Sequence, residues 1–382
     1  MAWADKLINS PCGRLVTGRE GYLAYVPAPL PREMPSFSPG TIYKLDEASR
    51  AVALLAGVGE TLPNPNLLIR PFLRREAILS SRIEGTVASA TDVLKLEAFP
   101  DRSIASSEAR EVLNYVHALE EGLRLLESLP ISTRLITQLH ERLMTGVRGR
   151  DKRPGEIRQQ QVWIVPEGAP IEDARFAPPP AELVPELLKD WETYVNSDDQ
   201  VPPLIQCALM HYQFEAIHPF LDGNGRIGRL LIVLFLCSKG VLRKPLLYLS
   251  AYFERNRDQY YDHLFAISAS GEWEPWLRYF LDGVVQEATD ALTRSRRLRQ
   301  LQGEYRDRLQ KARHSGNTLR LLDELFASPI VTAPLAAKIL NVSPEGARQI
   351  LDRLVKANIL RLDKITWPRY YVADEILRAL DE

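Results

Sequence analysis

The chain of 382 residues is poor in cysteine, carries almost no net charge and contains no long apolar run, and each shortage removes a class of protein. Its three cysteines, Cys12, Cys207 and Cys237, are too few and too scattered for a disulfide framework or a zinc cluster, which fits a reducing, cytoplasmic setting. Cys207 and Cys237 fall in apolar helical stretches and are expected to be buried thiols. The 48 Lys and Arg against 49 Asp and Glu leave a formal charge of -1, so no global field draws the chain to nucleic acid or an anionic membrane. The most apolar stretch, 230–237, falls far short of the roughly 20 residues a membrane-spanning helix needs. Met1-Ala2-Trp3-Ala4-Asp5-Lys6 shows neither the basic segment nor the apolar run of a secretory signal. No membrane partner is expected. What remains is an ordinary globular composition, 45% hydrophobic and 25% charged, long enough for two or three domains.

Against this plain background one run stands out: His218-Pro219-Phe220-Leu221-Asp222-Gly223-Asn224-Gly225-Arg226-Ile227-Gly228-Arg229. The residues after it, Leu230 to Leu236, are apolar on all sides, the mark of a helix buried at the centre of an α-domain. Gly-Asn-Gly therefore opens a buried helix, where free backbone N–H groups and the positive end of the dipole can receive phosphate. Arg226 and Arg229, three apart, project near one face and can grip a polyphosphate from one side. His218, just outside, is placed to act as a base on whatever the loop holds. A lone His or a lone Gly-Asn-Gly is usually structural; the combination, in this order and at this place, is chemistry.

The run resembles the signature of the Fic family, His-x-Phe-x-(Asp/Glu)-Gly-Asn-Gly-Arg-x-x-Arg, and matches every defined position. The resemblance implies a mainly α fold, with a helical core and a short β-hairpin flap. It also implies nucleotidyl transfer, commonly AMPylation, in which AMP passes from ATP to a hydroxyl side chain of a target protein or of the enzyme itself. On that reading His218 takes the proton of the attacking hydroxyl and Asp222 helps hold Mg²⁺. Gly223, Asn224 and Gly225 form an anion hole, while Arg226 and Arg229 stabilise the outer phosphates. Such transfer asks mainly for positioning, charge compensation and one base. Gly225 leaves room for the α-phosphate; relatives that transfer a terminal phosphate carry Lys there. Phe220 is expected to anchor the loop from beneath.

A second constellation, Ser80-Ser81-Arg82-Ile83-Glu84-Gly85, closes a stretch of helical composition from Arg70, with Gly85 as its C-cap and Ser80 and Glu84 on one face. It resembles the family's inhibitory helix, (Ser/Thr)-x-x-x-Glu-(Gly/Asn), over about 70–85. The resemblance pairs Glu84 with Arg229, a contact that would occupy the guanidinium needed by the γ-phosphate and hold the resting protein inhibited. A further role for Glu84 in removing AMP stays open.

Between these motifs, Pro154-Gly155 and then Val162-Trp163-Ile164-Val165 read as a turn into a short strand, with Glu167-Gly168-Ala169-Pro170 as the return. Taken alone this is a stray hairpin on a helical body. The resemblance makes it the flap, with Gln161, Val162, Trp163 and Ile164 holding a target peptide by main-chain pairing. Downstream, the resemblance offers Asn256, Tyr260 and Tyr261 as a wall for the adenine, whereas Trp273 and Trp276 read as helix packing.

Four regions follow: an irregular, Pro-rich wrap over 1–65 with one helix near 43–55, a catalytic core over 66–285, a connecting helix over 286–314, and a separate unit over 315–382. Core helices are expected at 105–127, 132–144, 183–194 and 203–214, and the connecting helix at 286–312. The last unit reads as helices at 319–326, 333–340 and 344–357, with Ser343 as N-cap and Pro344 first in the third helix, then a hairpin over 359–371. It resembles a winged helix-turn-helix domain, with Arg348, Gln349 and Arg353 exposed on the recognition helix. From Gln300 to Glu382 there are 13 Lys and Arg against 11 Asp and Glu, a net of +2, weak for a reader of DNA. DNA, a docked protein and a second copy in a homodimer all remain expected partners of this unit. The alternative to an AMP transferase is a DNA-binding transcriptional regulator whose Fic core senses nucleotide.

Overall fold

The computed structural model describes residues 2–381 apart from 20, 32–36, 62–63, 100–105, 148–151, 166–169, 199–200, 313 and 364–368. The described chain is mainly helical, with sixteen α-helices and five short strands. It opens with α1 (Ala2–Asp5) and an antiparallel hairpin of β1 (Gly13–Thr17) and β2 (Leu23–Pro27). The first 65 residues are thus more ordered than the irregular wrap expected, because Tyr25, Trp3 and Leu7 bury themselves against Phe176 and Ala177 in a small apolar cluster of their own. α2 (Pro39–Thr61) extends the expected helix in both directions.

α3 (Asn66–Ile83) carries Pro71 in its second turn and ends at the Glu84-Gly85 corner. α4 (Ala90–Ala98), α5 (Ser107–Leu125) and α6 (Thr133–Met144) each follow a serine whose hydroxyl accepts from the backbone N–H three residues on, which satisfies one orphan N–H at each start. Residue 105, the expected start of α5, lies outside the described residues. α7 (Val184–Val195), α8 (Pro203–Ile217) and α9 (Asn224–Ser238) follow. α9 is buried from Ile227 to Leu236 on every side, with α8, α3, α5 and α6 around it, as its uninterrupted apolar run requires.

α10 (Ser250–Arg255) and α11 (Arg257–Ser270) lead into α12 (Trp273–Lys311), a single helix of 39 residues. The expected boundary at 285/286 therefore falls inside a helix: no breaker interrupts it, and Gly283 is there because a Cβ would stand 2.7 Å from the Tyr252 ring. The second half of α12 is packed as well, since Leu298, Tyr305 and Leu309 are buried. Trp276 is fully buried and donates its indole N–H to Ala208 O at 3.1 Å, and Trp273 packs edge-on against Tyr212. Cys207 is buried, while Cys237 is only partly so.

The C-terminal unit comprises α13 (Gly316–Ala327), β3 (Ile330–Val331), α14 (Ala333–Leu340), α15 (Pro344–Lys356), β4 (Arg361–Asp363), β5 (Tyr370–Val372) and α16 (Asp374–Asp381). The strands form an antiparallel sheet in the order β3-β5-β4. Ser343 caps α15 by accepting from Gly346 N–H at 3.1 Å, with Pro344 in the first position. The tip of the β4–β5 hairpin lies outside the described residues. The unit rests on the core through Arg74 of α3, whose Nη1 donates to Ala327 O at 2.5 Å. Among the described residues no helix is long and apolar enough to cross a membrane.

Candidate functional site

The ends of α8 and α9 build the 218–223 turn. α8 stops at His218, whose left-handed backbone (φ 52°, ψ 64°) is uncommon for a residue with a side chain. Its Nδ1 lies 3.3 Å from Glu215 O. A carbonyl only accepts, so Nδ1 carries the proton and Nε2 keeps its lone pair. Burial, reinforced by the Arg158 guanidinium, depresses the imidazole to about 4 against the upward pull of Glu215 O, Glu84 and Asp222. The ring is neutral at physiological pH.

Asn224 staples the turn: its Oδ1 accepts from Phe220 N–H at 2.8 Å and its Nδ2 donates to Phe220 O at 2.9 Å. Its side chain is therefore committed inward. What the start of α9 presents outward is the N–H of Asn224, Gly225 and Arg226, which have no acceptor within the helix. Gly223 begins the helix at φ +79°, and Phe220 is buried and stacked on His140 at 3.8 Å.

Arg226 is nearly enclosed. Its Nη1 stands 3.6 Å from Glu111 Oε2 and its Nη2 3.6 Å from Asp222 Oδ1, both longer than a hydrogen bond, and its Nε and Nη1 are buried without a hydrogen-bond partner. Unsatisfied buried donors on a cation are costly; an anion would satisfy them. Asp222 Oδ1 accepts from Gly223 N–H at 2.6 Å, and the carboxylate is 44% exposed beside the helix start. Among the described residues no cluster of three or more His, Cys, Asp and Glu could hold a metal alone. One exposed carboxylate next to a phosphate cradle is nevertheless the donor set Mg²⁺ uses when nucleotide and water supply the rest, so Asp222 fits that ion.

Arg229 is the opposite case. Its Nε donates to Ser80 Oγ at 2.9 Å, and its Nη2 to Ser80 O at 2.9 Å and Glu84 Oε1 at 2.8 Å. The two upstream residues and the second arginine of the run are thus brought together. Burial resists ionisation of Glu84, but Arg229, with Arg226 and His218, holds it below the usual carboxylate range. The carboxylate lies over Gly225, where a Cβ would stand 2.3 Å from Glu84 Oε1.

The flap differs from expectation. The residues read as its return, 167–169, lie outside the described residues, and Ile164 is the one position of the 162–165 stretch that pairs, in an isolated bridge to Phe176. Its N–H donates to Phe176 O at 2.9 Å and its carbonyl accepts from Arg175 N–H at 2.8 Å. A 3-10 turn at Ile171–Asp173 lengthens the connection, and Phe176 is drawn to the N-terminal cluster. Gln161 Nε2 donates to Val162 O and Pro178 O, both at 2.8 Å, and Trp163 meets Tyr22 edge-on.

The aromatic wall is also redrawn. Tyr260 is 1% exposed and its hydroxyl is 2.7 Å from His211 Nε2, inside the core behind α9. Asn256 Nδ2 donates to Tyr252 O at 2.9 Å at the start of α11. Tyr260 and Tyr261 are both within electrostatic reach of Glu84 and Arg229, and Tyr261 also lies against Arg257.

Two residues to which the sequence assigned no role hold the turn: Arg158 donates from Nε to His218 O at 2.8 Å, and His140 lies 3.0 Å from Asp222 O. Arg158 was visible only as one more cation after Pro-Gly, and His140 as a lone histidine on the apolar face of a helix.

The segments that build this site are also those that resemble known proteins. The Fic/DOC family N-terminal profile matches residues 42–124 and the Fic/DOC family profile residues 130–236. The chain is 30% identical over 207 residues to protein adenylyltransferase Fic of Drosophila grimshawi, covering 52% of this chain but 39% of that protein. It is 26% identical over 292 residues to a probable protein adenylyltransferase of Aquifex aeolicus, covering 75% and 79%. It thus spans about two fifths of the Drosophila relative's length. Among solved structures, a Fic family protein from Desulfovibrio desulfuricans G20 superposes with a TM-score of 0.58 at 19% identity over 89% of this chain and 97% of that one. Fic-1 of C. elegans gives 0.50 at 24% identity over 66% and 73%. Through residues 42–236, the chain belongs to the Fic/DOC family.

Proposed function

We propose that the protein is an adenylyltransferase, moving AMP from ATP to a hydroxyl of a protein target, and that it rests in an inhibited state. The observation that carries this reading is a neutral His218, with its Nε2 lone pair available, beside a helix start that carries Arg226, whose Nε and Nη1 are buried without a hydrogen-bond partner. Nε2 accepts the proton of the attacking hydroxyl as the oxygen bonds to the α-phosphorus and pyrophosphate leaves. The N–H groups of residues 224–226 receive the charge that grows on the α-phosphate, and Arg226 and Arg229 take the leaving pyrophosphate. Mg²⁺ held at Asp222 would supply further charge compensation. A sensing core would need no base, so the reading as a DNA-binding regulator is not favoured.

Inhibition rests on Arg229, whose described hydrogen bonds go to Ser80 and Glu84. A γ-phosphate must displace that carboxylate to gain the guanidinium. Glu84→Gly should raise incorporation of label from α-³²P-ATP into the protein or a target, with none from γ-³²P-ATP; His218→Ala in that background should abolish it. A folded Glu84→Gly protein no more active than wild type removes the inhibitory role. Label from the γ position alone replaces AMP transfer by phosphotransfer. Removal of AMP by the Glu84 carboxylate is a second use of the same group, read by release of AMP from a modified target. We read the C-terminal unit as a winged helix because three helices and a three-stranded antiparallel sheet follow in the order that fold requires. Its exposed Arg348, Gln349 and Arg353 would face DNA or a protein partner. A salt-dependent shift of labelled duplex by the full chain separates the two.

A further inference from the structure

Arg158 is 2% exposed, and its hydrogen bonds go to carbonyl oxygens: His218 O at 2.8 Å, Pro179 O at 2.6 Å, Gln160 O at 3.1 Å and Ile217 O at 3.4 Å. Two of these belong to the end of α8, where carbonyls have no helical partner and a cation is favoured by the dipole. The Arg158 N–H adds a bond to Pro219 O at 2.9 Å. One turn earlier in the same segment, Gly155 N–H donates to His140 Nδ1 at 2.9 Å. With Nδ1 accepting, His140 Nε2 is the protonated nitrogen and donates to Asp222 O. A ring that accepts at Nδ1 and donates at Nε2 is a single neutral tautomer, and it bridges the segment before the flap to the carbonyl of Asp222.

We infer that Arg158 and His140 are positioning residues that join the base of the flap and the catalytic turn into one rigid frame. Arg158 fixes His218 by capping α8, and His140 fixes Asp222. This rests on the proposed role of His218 as the base. The flap that would present the target hydroxyl begins within a few residues of Arg158, so the acceptor and the imidazole are registered against the same guanidinium. Such pre-alignment acts on kcat and leaves nucleotide affinity alone.

The charge of Arg158 gives a second readout. The groups facing His218 are Arg158 from the flap base, Glu84 from the end of α3, Asp222 from the turn and Glu215 O from α8, with the Glu215 carboxyl itself pushed up to about 8 by burial. Arg226 and Arg229 of α9 stand around Glu84. Of the groups acting on His218, Arg158 lowers its pKa and the carboxylates raise it, so loss of the guanidinium moves the pKa upward.

The test compares Arg158→Lys and Arg158→Met within Glu84→Gly, using AMP incorporation and NMR titration of His218. Both substitutions should lower kcat by about 10- to 100-fold with KM for ATP within about twofold. Lys should leave the His218 pKa near the parent value, and Met should raise it by a unit or more, moving the acidic limb of the rate profile with it. A Met variant with the parental titration and kcat overturns the inference. If the Glu84→Gly parent takes up no label, the proposed function fails, and the titration still decides the role of Arg158. If neither variant folds, His140→Ala in the same background decides: a lowered kcat with KM for ATP held supports the frame, and parental kinetics overturn it.

Discussion

Gly225 is the position where sequence and structure give two different reasons for one small residue. Read from the sequence, it leaves room for an α-phosphate; in the resting structure that space is bordered by Glu84 Oε1 and, at 2.9 Å from an added Cβ, Arg229 Nη1. Both reasons predict the same defect. Gly225→Ala should displace Glu84, a flexible end that can yield, yet fail to activate, because the methyl group then crowds the phosphate. Glu84→Gly should show the contrary pattern, a larger ATP-induced rise in Tm than wild type and more label from α-³²P-ATP. Thermal shift and label uptake on the two variants check this; activation by Gly225→Ala would contradict it. The run from His218 to Arg229 was legible because its donors lie within one turn and one helix start. Arg158 and His140 were not, since their partners are backbone carbonyls, which no side-chain pattern advertises.

At the scale of elements, α3 decides how inhibition can be lifted. It is tied on every side: Arg74 grips Glu97 of α4 through Nε at 2.8 and 2.9 Å and Nη2 at 2.7 Å, and reaches Ala327 of α13. Glu76 accepts from Tyr115 of α5 and from both the N–H and hydroxyl of Ser250 at the start of α10, and Arg75 faces Glu287 and Asp290 of α12. A helix so held does not swing away to free Arg229. Release belongs to the Glu84 side chain and the Gly85 corner. Hydrogen exchange in saturating ATP should therefore change at 83–86 and leave 70–82 protected; faster exchange along the whole of α3 would show the helix itself detaching. Arg74→Ala, which orphans a largely buried Glu97 and a buried carbonyl, should destabilise the fold by about 2–4 kcal/mol in denaturant melts. The sequence marked α3 by its composition and corner but said nothing of these ties, which join residues far apart in the chain. The N-terminal hairpin was hidden for a related reason: its strands are five residues each, and the cluster that buries Tyr25 draws on the distant Ala174, Phe176 and Ala177.

For the whole molecule, buried histidines set a pH window. Burial lowers His140 and His218 to about 4 and His211 to about 3, and lowers His117 and His263 as well. Below about pH 6.5 the unfolded chain protonates these rings while the folded chain does not, so the unfolded state binds more protons and stability falls as pH falls. The buried carboxyls act with the opposite sign. Burial raises Glu215 to about 8 and also raises Glu76 and Glu287, so above about pH 4.5 the unfolded chain releases protons that the folded one retains, and stability falls as pH rises. Between pH 4.5 and 6.5 His140, His211 and His218 outweigh Glu215 and the acid side wins; from 6.5 to 8 the Glu215 carboxyl remains. Each net proton is worth about 1.4 kcal/mol per pH unit. Tm should peak near pH 6.5–7, dropping steeply toward pH 4.5 and gently toward pH 8. Replacing His211 by Gln, which retains a donor for Gly228 O, should flatten the acid limb even if it lowers the peak. A wild-type Tm that is level from pH 4.5 to 6.5 would mean that these rings open to water in the folded state, and with them the neutral His218 on which the proposed proton transfer depends.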